Sequence, residues 1–340
     1  MAGSTSNDDA TLGPEEEPDT SFDPSELSPA SAWRQISEGG YSEVYKAHLL
    51  GASVAVKQAT SRKKTSGEAL LREIRYLRLA GPHPNIVQPY GAFSERGKLH
   101  LVMEFARHSL RSDRVARSAD PLIVLSGVAR ALVRLHGLGI IHRDLKARNV
   151  LVAENNRALL IDFGLACHLQ LDSSEWIGRT VGTKKYRPPE MRESRAALPS
   201  MDVYCFGQMA EKLLRQRERT SSEGSPRSDD SGHERKATRV LQDVAQQCTR
   251  RDPTERPSAW KLLQRLMRHC GDEPQRCDSH RERVALSTMP QEPSQPVPPG
   301  DGGGRRKRAR AGASGGDASR SGSPPRHRQR ERSTAVSRSL

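Results

Sequence analysis

Short apolar segments separated by small residues fill the chain between residues 33 and 58. These segments predict short strands, with turns at Gly39-Gly40 and Gly51-Ala52. Two further apolar segments follow before residue 106. The five predicted strands read WRQI (33–36), EVYKAHLL (43–50), SVAVKQ (53–58), IVQPYGAF (86–93) and LHLVMEF (99–105).

A helical pattern separates the third predicted strand from the fourth. Leu70, Ile74 and Leu77 recur at the i, i+4 and i+7 positions that share one face of a helix. Ser66 is the expected N-cap, and Gly81-Pro82 is expected to end the helix. This part of the chain is therefore predicted to be a small sheet with one helix.

From residue 120 onwards the spacing becomes mainly helical. Asp120-Pro121 has the residue types of an N-cap followed by a first helical position, and Val128, Leu132 and Leu135 form an apolar stripe. The order indicates an α+β, bilobal fold, with a strand-rich N-lobe over 31–104 and a helical C-lobe over 107–270. The remaining predicted elements are strands NVLVA (149–153) and ALLIDF (158–163) and helices near 202–217, 237–249 and 257–269.

Three segments are too polar to form a core and are predicted to be disordered. Residues 1–30 carry eight acidic residues and no Lys or Arg. Residues 271–340 contain no aromatic residue and carry 14 Lys or Arg against eight acidic residues. A polar insert at about 218–236 lies within the C-lobe. The folded domain is accordingly expected to cover residues 31–270.

Charge and cysteine content narrow the class of protein. The formal net charge is +14, and removing −8 for residues 1–30 and +6 for residues 271–340 leaves +16 on the middle part. A strongly basic body favours phosphate-bearing ligands or acidic partners, although the charge equally serves solubility. The five cysteines are scattered and show no metal-binding spacing, so reduced thiols and an intracellular location are expected. No signal peptide is visible, and no apolar run approaches the ~20 residues that span a bilayer.

One ordered set of motifs carries the candidate chemistry. HRDLKARN ends at Asn149, DFG begins at Asp162, VAVK ends at Lys57, and Glu73 lies on the first predicted helix; GTKKYRPPE, DVYCFG and RDPTERP follow. This order and spacing resemble the eukaryotic protein kinase family over about residues 33–269. The last two motifs look most similar to those of the tyrosine-kinase-like group of serine/threonine kinases.

The resemblance implies a catalytic role for each motif residue. Lys57 would contact the α- and β-phosphates of ATP and be held by Glu73, whereas Asn149 and Asp162 would bind Mg²⁺, or Mn²⁺ in its place. Asp144 would accept the proton of the attacking hydroxyl, and Lys146 would stabilise charge on the transferred phosphoryl group. Asp202 would brace the catalytic loop, and Glu190 would pair with Arg256. The stretch from Asp202 to Arg256 is shorter than usual for the family.

The segment ISEGGYSEV departs from the family's glycine-rich loop. Ser37 and Ser42 replace two of the three usual glycines, and only Gly39 is retained. By resemblance it is a nucleotide loop of altered stiffness; the alternative is a loop that binds nucleotide poorly. The expected nucleotide-binding residues are Ile36, Ser37, Glu38, Gly39, Gly40, Tyr41, Ser42, Glu43 and Val44, with Ala55 and Leu151 around the base, Met103 as gatekeeper, and Glu104 and Ala106 in the hinge.

The segment from Asp162 to Glu190 resembles an activation segment. Arg143 precedes the catalytic Asp, as in kinases whose segment is ordered by a phosphate, so phosphate on Thr180 is predicted to raise activity through Arg143. Ser173 and Ser174 are the second choice. In the alternative interpretation, Arg143 bonds backbone and the loop is ordered without modification. Thr183 is expected to bond Asp144 and Lys146 instead.

Several functions remain open at this point. The leading one is ATP- and Mg²⁺-dependent phosphorylation of serine and threonine in protein substrates; the alternative is a weakly active, pseudokinase-like scaffold. The insert and the basic tail are expected to bind partners. The run RRKRAR in the tail fits nuclear import, a nucleic-acid contact or a solvated charge run. Location in the cytoplasm, the nucleus or both is expected, and the oligomeric state stays undetermined.

Overall fold

The computed structural model describes residues 22–60, 65–192, 197–222 and 232–269. Its N-lobe contains a five-stranded antiparallel sheet in the order β1-β2-β3-β5-β4. All five predicted strands are present, although the fourth begins later than expected. The strands are β1 Arg34–Glu38, β2 Ser42–Leu49, β3 Ala52–Ala59, β4 Pro89–Glu95 and β5 Lys98–Glu104.

Both faces of this sheet are covered by apolar side chains. On β3, Ala55 belongs to the main core, whereas Val54 and Val56 belong to a smaller cluster on the opposite face. On β5, Met103 and Val102 divide in the same way. Successive side chains of a strand point to opposite faces, so the alternation places Lys57 on the face of Ala55, towards the main core.

Helix α1, Ser66–Ala80, packs against the main-core face of the sheet. The predicted apolar stripe is buried there, and Gly81 ends the helix with φ +66°, a conformation that glycine adopts readily. The predicted N-cap was wrong by one residue. Ser66 is the first helical residue and Thr65 holds the cap position, without a side-chain bond to the helix.

The other face of the sheet is covered by residues that were expected to be disordered. The predicted 1–30 tail is wrong for residues 22–30: the Phe22 ring stacks on Phe93 at 6.0 Å, and Leu27 is buried. The backbone N–H of Phe22 donates to Ala92 O at 3.2 Å. A Cβ on Gly91 would overlap the Phe22 ring, so this glycine makes room for the segment. Residues 1–21 lie outside the described part of the chain.

Because Leu27 completes this small cluster, Leu27→Ala is expected to lower the free energy of unfolding by about 2 kcal/mol, the lower end for a buried leucine. Leu50→Ala is the matched control, since Leu50 lies close by and is 79% exposed. Urea denaturation followed by tryptophan fluorescence measures both variants. Equal stability of the two would mean that residues 22–30 add nothing to the folded domain.

The C-lobe is built around helix α3, which is buried along most of its length. As predicted, Asp120 caps this helix: its Oδ1 accepts from the N–H of Leu122 at 2.8 Å and of Ile123 at 3.3 Å. The C-lobe elements are β6 His108–Ser109, α2 Asp113–Ser118, α3 Pro121–Gly137, β7 Ile140–Ile141, β8 Val150–Val152, β9 Ala158–Leu160, β10 Cys167–His168, α4 Ser174–Ile177, α5 Pro199–Ser222, α6 Gly232–Cys248 and α7 Ala259–Met267.

The predicted disordered insert is mostly helical at its ends. Helix α5 continues to Ser222 and helix α6 begins at Gly232, so the expectation for 218–222 and 232–236 was wrong. The two helices pack on each other, and this contact stabilises helical turns that have little apolar content of their own. Residues 223–231 and the predicted tail 271–340 lie outside the described residues. Within the described ranges, none of the helices is long and apolar enough to cross a membrane.

Candidate active site

A buried lysine joins the two lobes of the molecule. The Nζ atom of Lys57 on β3 donates to Glu73 Oε2 on α1 and, at 3.0 Å, to Asp162 Oδ1 at the start of the segment that follows β9. The side chain of Glu73 is 1% exposed and that of Lys57 is 10% exposed. Removing one member would leave a buried charge without its partner, so the three groups depend on each other.

The protonation states of Lys57, Glu73 and Asp162 depend on the short distances between the three groups. Burial by itself lowers the pKa of Lys57, but the carboxylates of Asp162 and Glu73 raise it overall, so the ammonium stays charged at neutral pH. Partial burial also opposes ionisation of Asp162, yet attraction to Lys57 lowers its pKa. Burial raises the pKa of Glu73, against the attraction of the same ammonium. Lys57 thus presents a fixed positive charge beside an ionised Asp162.

The catalytic loop, residues 142–149, presents a second cluster. Asp144 is buried; its Oδ2 accepts from Lys146 Nζ at 2.5 Å, and its Oδ1 accepts from the backbone N–H of Thr183 at 2.9 Å and from Thr183 Oγ1 at 2.8 Å. Lys146 Nζ also donates to Thr183 Oγ1 at 2.8 Å. The predicted bonds of Thr183 are confirmed, and they fix the orientation of the Asp144 carboxylate.

The fully buried carboxylate of Asp202 binds the backbone of the catalytic loop, as predicted. Asp202 of α5 accepts from the backbone N–H groups of His142 and Arg143, both at 2.9 Å, and contacts His136 Nε2 at 3.0 Å. Burial opposes its ionisation, but the hydrogen bond from His136 and the other donors lower its pKa. These bonds hold Arg143 at φ +63°, which a residue with a Cβ rarely adopts.

The predicted Glu190–Arg256 pair is also confirmed. The guanidinium of Arg256 donates from Nη1 to Glu190 Oε1 at 2.6 Å and from Nη2 to Oε2 at 2.8 Å. Both side chains are buried, and this two-point geometry is the strong form of an arginine–carboxylate pair. It joins the end of the segment that begins at Asp162 to the last third of the domain.

The donor set next to Asp144 fits a hard divalent cation. Asn149 Nδ2 donates to Asp144 O at 3.0 Å, which leaves its amide oxygen as the atom that would bind a metal. Asp162 supplies an ionised carboxylate that is 40% exposed. Both groups are oxygen ligands of the kind that Mg²⁺ uses together with substrate phosphates and water. The described residues contain no cluster of three or more His, Cys, Asp or Glu that would form a metal site without a substrate.

Comparison with known proteins assigns this arrangement to a family. The family profile described as "Protein kinase domain" matches residues 31–267. The chain belongs to the protein kinase family. Curated relatives include a probable LRR receptor-like serine/threonine-protein kinase of Arabidopsis thaliana, 31% identical over an alignment of 295 positions that covers 75% of this chain and 31% of that protein.

Two other relatives match about half of the chain. MDIS1-interacting receptor like kinase 2 of Arabidopsis thaliana is 34% identical over an alignment of 197 positions that covers 53% of this chain and 19% of that protein. A probable LIM domain-containing serine/threonine-protein kinase of Dictyostelium discoideum is 31% identical over an alignment of 192 positions that covers 54% of this chain and 29% of that protein. The chain therefore spans less than a third of the length of the curated relatives it matches.

The residues predicted to surround the adenine of ATP lie at the edge of the main core of the kinase domain. Ala55 and Met103 are cross-strand partners and both are buried, whereas Leu151 on β8 and Val44 on β2 are half-buried. The predicted hinge begins where β5 ends. The N–H of Glu104 donates to Gln88 O at 2.9 Å, so Glu104 would offer a base its carbonyl only, together with the backbone of Ala106.

The unusual nucleotide loop is the hairpin between β1 and β2. Gly39 N–H donates to Ser42 O at 2.8 Å, which closes the turn as predicted, and the pairing of the two strands is irregular between Gln35 and Ser37. Ile36 and Tyr41 are 45% and 47% exposed, so the hairpin lies open to solvent. The loop keeps the hairpin form although two glycines are replaced.

Ser37 and Ser42 are small enough to follow the glycine path, so the double variant Ser37→Gly, Ser42→Gly is expected to change kcat and the KM for ATP by less than about fivefold. A hydroxyl that binds phosphate would instead add a hydrogen bond of about 1.5–3 kcal/mol, and its removal would raise the KM by about tenfold or more. Steady-state kinetics at varied ATP concentration decides between the two. Ser53→Gly on β3 serves as the control, because Ser53 is exposed and far along the strand from the hairpin.

Arg143 binds the backbone of the activation segment, residues 162–190, as in the alternative interpretation of the sequence. Its Nε donates to Leu165 O at 2.8 Å, and its Nη1 donates to Trp176 O at 2.9 Å and Ile177 O at 3.4 Å. The side chain predicted to receive a phosphate from Thr180 thus already bonds the segment's backbone. Thr180 itself is exposed.

Sequence interpretation missed one glycine that the site requires. Gly182 has φ +81°, and a Cβ on it would overlap the carbonyl oxygen of Arg143. The next residue is Thr183, which bonds Asp144. The glycine of the GTKKY motif was the one sequence feature that could have indicated this requirement. Its contact with the catalytic loop, about 40 residues away in sequence, is visible only in the folded structure.

Proposed function

We propose that the chain is an ATP-dependent kinase that phosphorylates serine and threonine hydroxyls of protein substrates. The observation that carries this proposal is the buried Asp144 carboxylate, held between Lys146 and Thr183. Such a group can accept the proton of an alcohol, and the Lys57–Glu73–Asp162 triad offers the charges that position a nucleotide. The names of the relatives support serine and threonine as acceptors.

The proposed reaction assigns a task to each residue. The acceptor hydroxyl oxygen forms a bond to the γ-phosphorus of ATP, the bond from that phosphorus to the β–γ bridging oxygen breaks, and ADP leaves. The hydroxyl proton passes to Asp144. Lys146 stabilises charge on the transferred group, and Lys57 neutralises charge on the α- and β-phosphates.

Magnesium fits the oxygen atoms of Asn149 and Asp162, and manganese would use the same atoms. The ion would supply neutralisation of phosphate charge. Within the chain, Lys57 orients Asp162 for this role through the 3.0 Å ion pair. Asn149 is oriented by the bond from its amide nitrogen to the backbone of Asp144.

A transfer assay tests the proposal. The full chain is incubated with γ-labelled ATP, Mg²⁺ and a mixed set of protein substrates, and the labelled amino acid is identified after hydrolysis. Label on serine or threonine, lost on chelation of Mg²⁺ and in Lys57→Ala, is expected. Lys98→Ala is the matched control, because Lys98 lies on the same sheet but is exposed. Binding of ATP without transfer would favour a signalling scaffold, and label on tyrosine would contradict the acceptor class.

We also propose that the protein works inside the cell, in the cytoplasm, the nucleus or both. Three cysteines of the described residues, Cys167, Cys205 and Cys248, are buried free thiols, and burial raises the pKa of each. Thiols kept unreactive in this way suit a reducing compartment. Imaging of a fluorescent fusion, with and without the basic run 305–310, tests the location. A signal confined to the secretory pathway would contradict it.

A further inference from the structure

Three arginines from separate parts of the kinase domain meet at one tryptophan ring. The guanidinium carbon lies 3.8 Å from the centroid of the Trp176 ring for Arg72 of α1, 4.6 Å for Arg143 of the catalytic loop and 5.3 Å for Arg179 of the activation segment. The face of an aromatic ring is electronegative, and a cation within about 6 Å of it is attracted. One side chain therefore contacts all three cations.

Polar bonds fix the tryptophan in this position. Its Nε1 donates to Ala166 O at 3.1 Å, and its backbone N–H donates to Ser173 Oγ at 3.2 Å. Its carbonyl accepts from Arg143 Nη1 at 2.9 Å. The ring also packs beside the buried side chains of Ile141 and Cys167. The indole is thus held in the fold through its ring nitrogen, its backbone and its apolar neighbours.

The arginines form no ion pair with any side chain that the structure describes. Arg72 Nε and Arg143 Nη2 are buried and have no hydrogen-bond partner. Burial also lowers the pKa of Arg143, as expected for a cation withdrawn from water. A set of converging guanidinium groups of this kind normally binds an anion such as a phosphate. Here the electron-rich ring occupies the centre of the set.

The contacts of these arginines reach the catalytic groups. Arg72 is the neighbour of Glu73, which pairs with Lys57, and Arg143 is the neighbour of Asp144. Arg143 also bonds Leu165 O at 2.8 Å, directly after the DFG motif. Movement of the ring would therefore remove a contact that α1, the catalytic loop and the activation segment share.

We propose that Trp176 is a positioning residue that does the work of an activation-segment phosphate, by binding Arg72, Arg143 and Arg179 and so holding the segment and α1 in the catalytically competent arrangement. This inference rests on the proposed kinase activity. Full activity then requires no phosphate on Ser173, Ser174 or Thr180. The predicted Thr180 switch is replaced by a permanent aromatic contact.

The test compares residues placed at position 176 in full-length protein treated with phosphatase. Dephosphorylated wild type should retain its kcat, whereas Trp176→Leu should lose about tenfold or more, because leucine offers no electronegative ring face to the three arginines. Trp176→Phe should stay within a few-fold of wild type. Trp260→Leu is the matched control, because Trp260 is also half-buried but makes no cation–ring contact among the described residues.

Glutamate and glutamine at position 176 have nearly the same shape, so comparing them separates the effect of charge from the effect of side-chain packing. Trp176→Glu supplies an anion to the three arginines and should recover activity above Trp176→Gln, with the gain lost at high salt. A purely structural tryptophan predicts no advantage for Glu. Loss of wild-type activity on dephosphorylation, full activity of Trp176→Leu, or equal activity of the Glu and Gln variants would each overturn the proposal.

Hydrogen exchange supplies a readout that does not depend on phosphoryl transfer. Backbone amides of residues 165–180 should exchange faster in Trp176→Leu and Trp176→Gln than in wild type and Trp176→Glu. If wild type transfers no phosphate but shows this order of protection, the proposed function fails and the role of Trp176 stands. If wild type is active and the order is absent, the role of Trp176 fails alone.

Discussion

Asp144→Asn is expected to lower kcat by about 10³-fold, within the 10²–10⁴ range for loss of a general base. The amide is a poor proton acceptor, and its NH₂ group would face Lys146 or Thr183, both of which donate to the carboxylate in the native site. The KM for ATP should stay nearly constant, since Asp144 makes no contact with Lys57 in the described site. Steady-state kinetics, with ATP binding measured separately, checks both parts.

Asp162→Asn is the informative comparison for that variant. It removes the carboxylate that pairs with Lys57, so it should weaken binding of the Mg²⁺–ATP complex in addition to slowing transfer. Turnover of Asp144→Asn at the wild-type rate would show that the catalytic loop has been assigned incorrectly. An unchanged Mg²⁺ dependence in Asp162→Asn would remove Asp162 from the metal site.

Gly182→Ala is expected to lower kcat by about 10²-fold, because a displacement of about 1 Å near the reacting groups has an effect of that size. Gly182 has φ +81°, and the added Cβ would overlap Arg143 O. The segment must then move away, and Thr183 loses its 2.9 Å and 2.8 Å bonds to Asp144. Kinetics of the purified variant measures the loss.

Gly51→Ala is the matched control for this prediction. Gly51 has φ +85°, so alanine suffers the same backbone strain, but no atom lies within 4 Å of the added Cβ. The control should lose about 1 kcal/mol of stability and keep its activity. Comparable activity losses in the two glycine variants would mean that general strain, and not the contact with Arg143, explains the effect at residue 182.

The sequence was least informative where packing on distant residues creates order. Phe22 and Leu27 lie among Pro, Ser and Asp without a periodic pattern, so the segment looked solvated. They are ordered because the outer face of the sheet, which includes Phe93, has apolar area to cover. The ends of α5 and α6 were missed for a similar reason: their polar turns are stabilised by the contact between the two helices.

By itself, the sequence determined the chemistry of the site: Lys57, Asp144, Asn149 and Asp162 stand in recognisable motifs, because phosphate handling needs these residue types in a set order along the chain. The two lobes also followed from the change of apolar spacing, which is a local property. Only the tertiary structure decided what Arg143 binds. Its partners are Trp176 and the backbone of residues 165 and 177, which come close to it only when the activation segment folds. Whether an arginine binds a ring, a backbone carbonyl or a phosphate depends on this three-dimensional geometry, which a sequence motif does not contain.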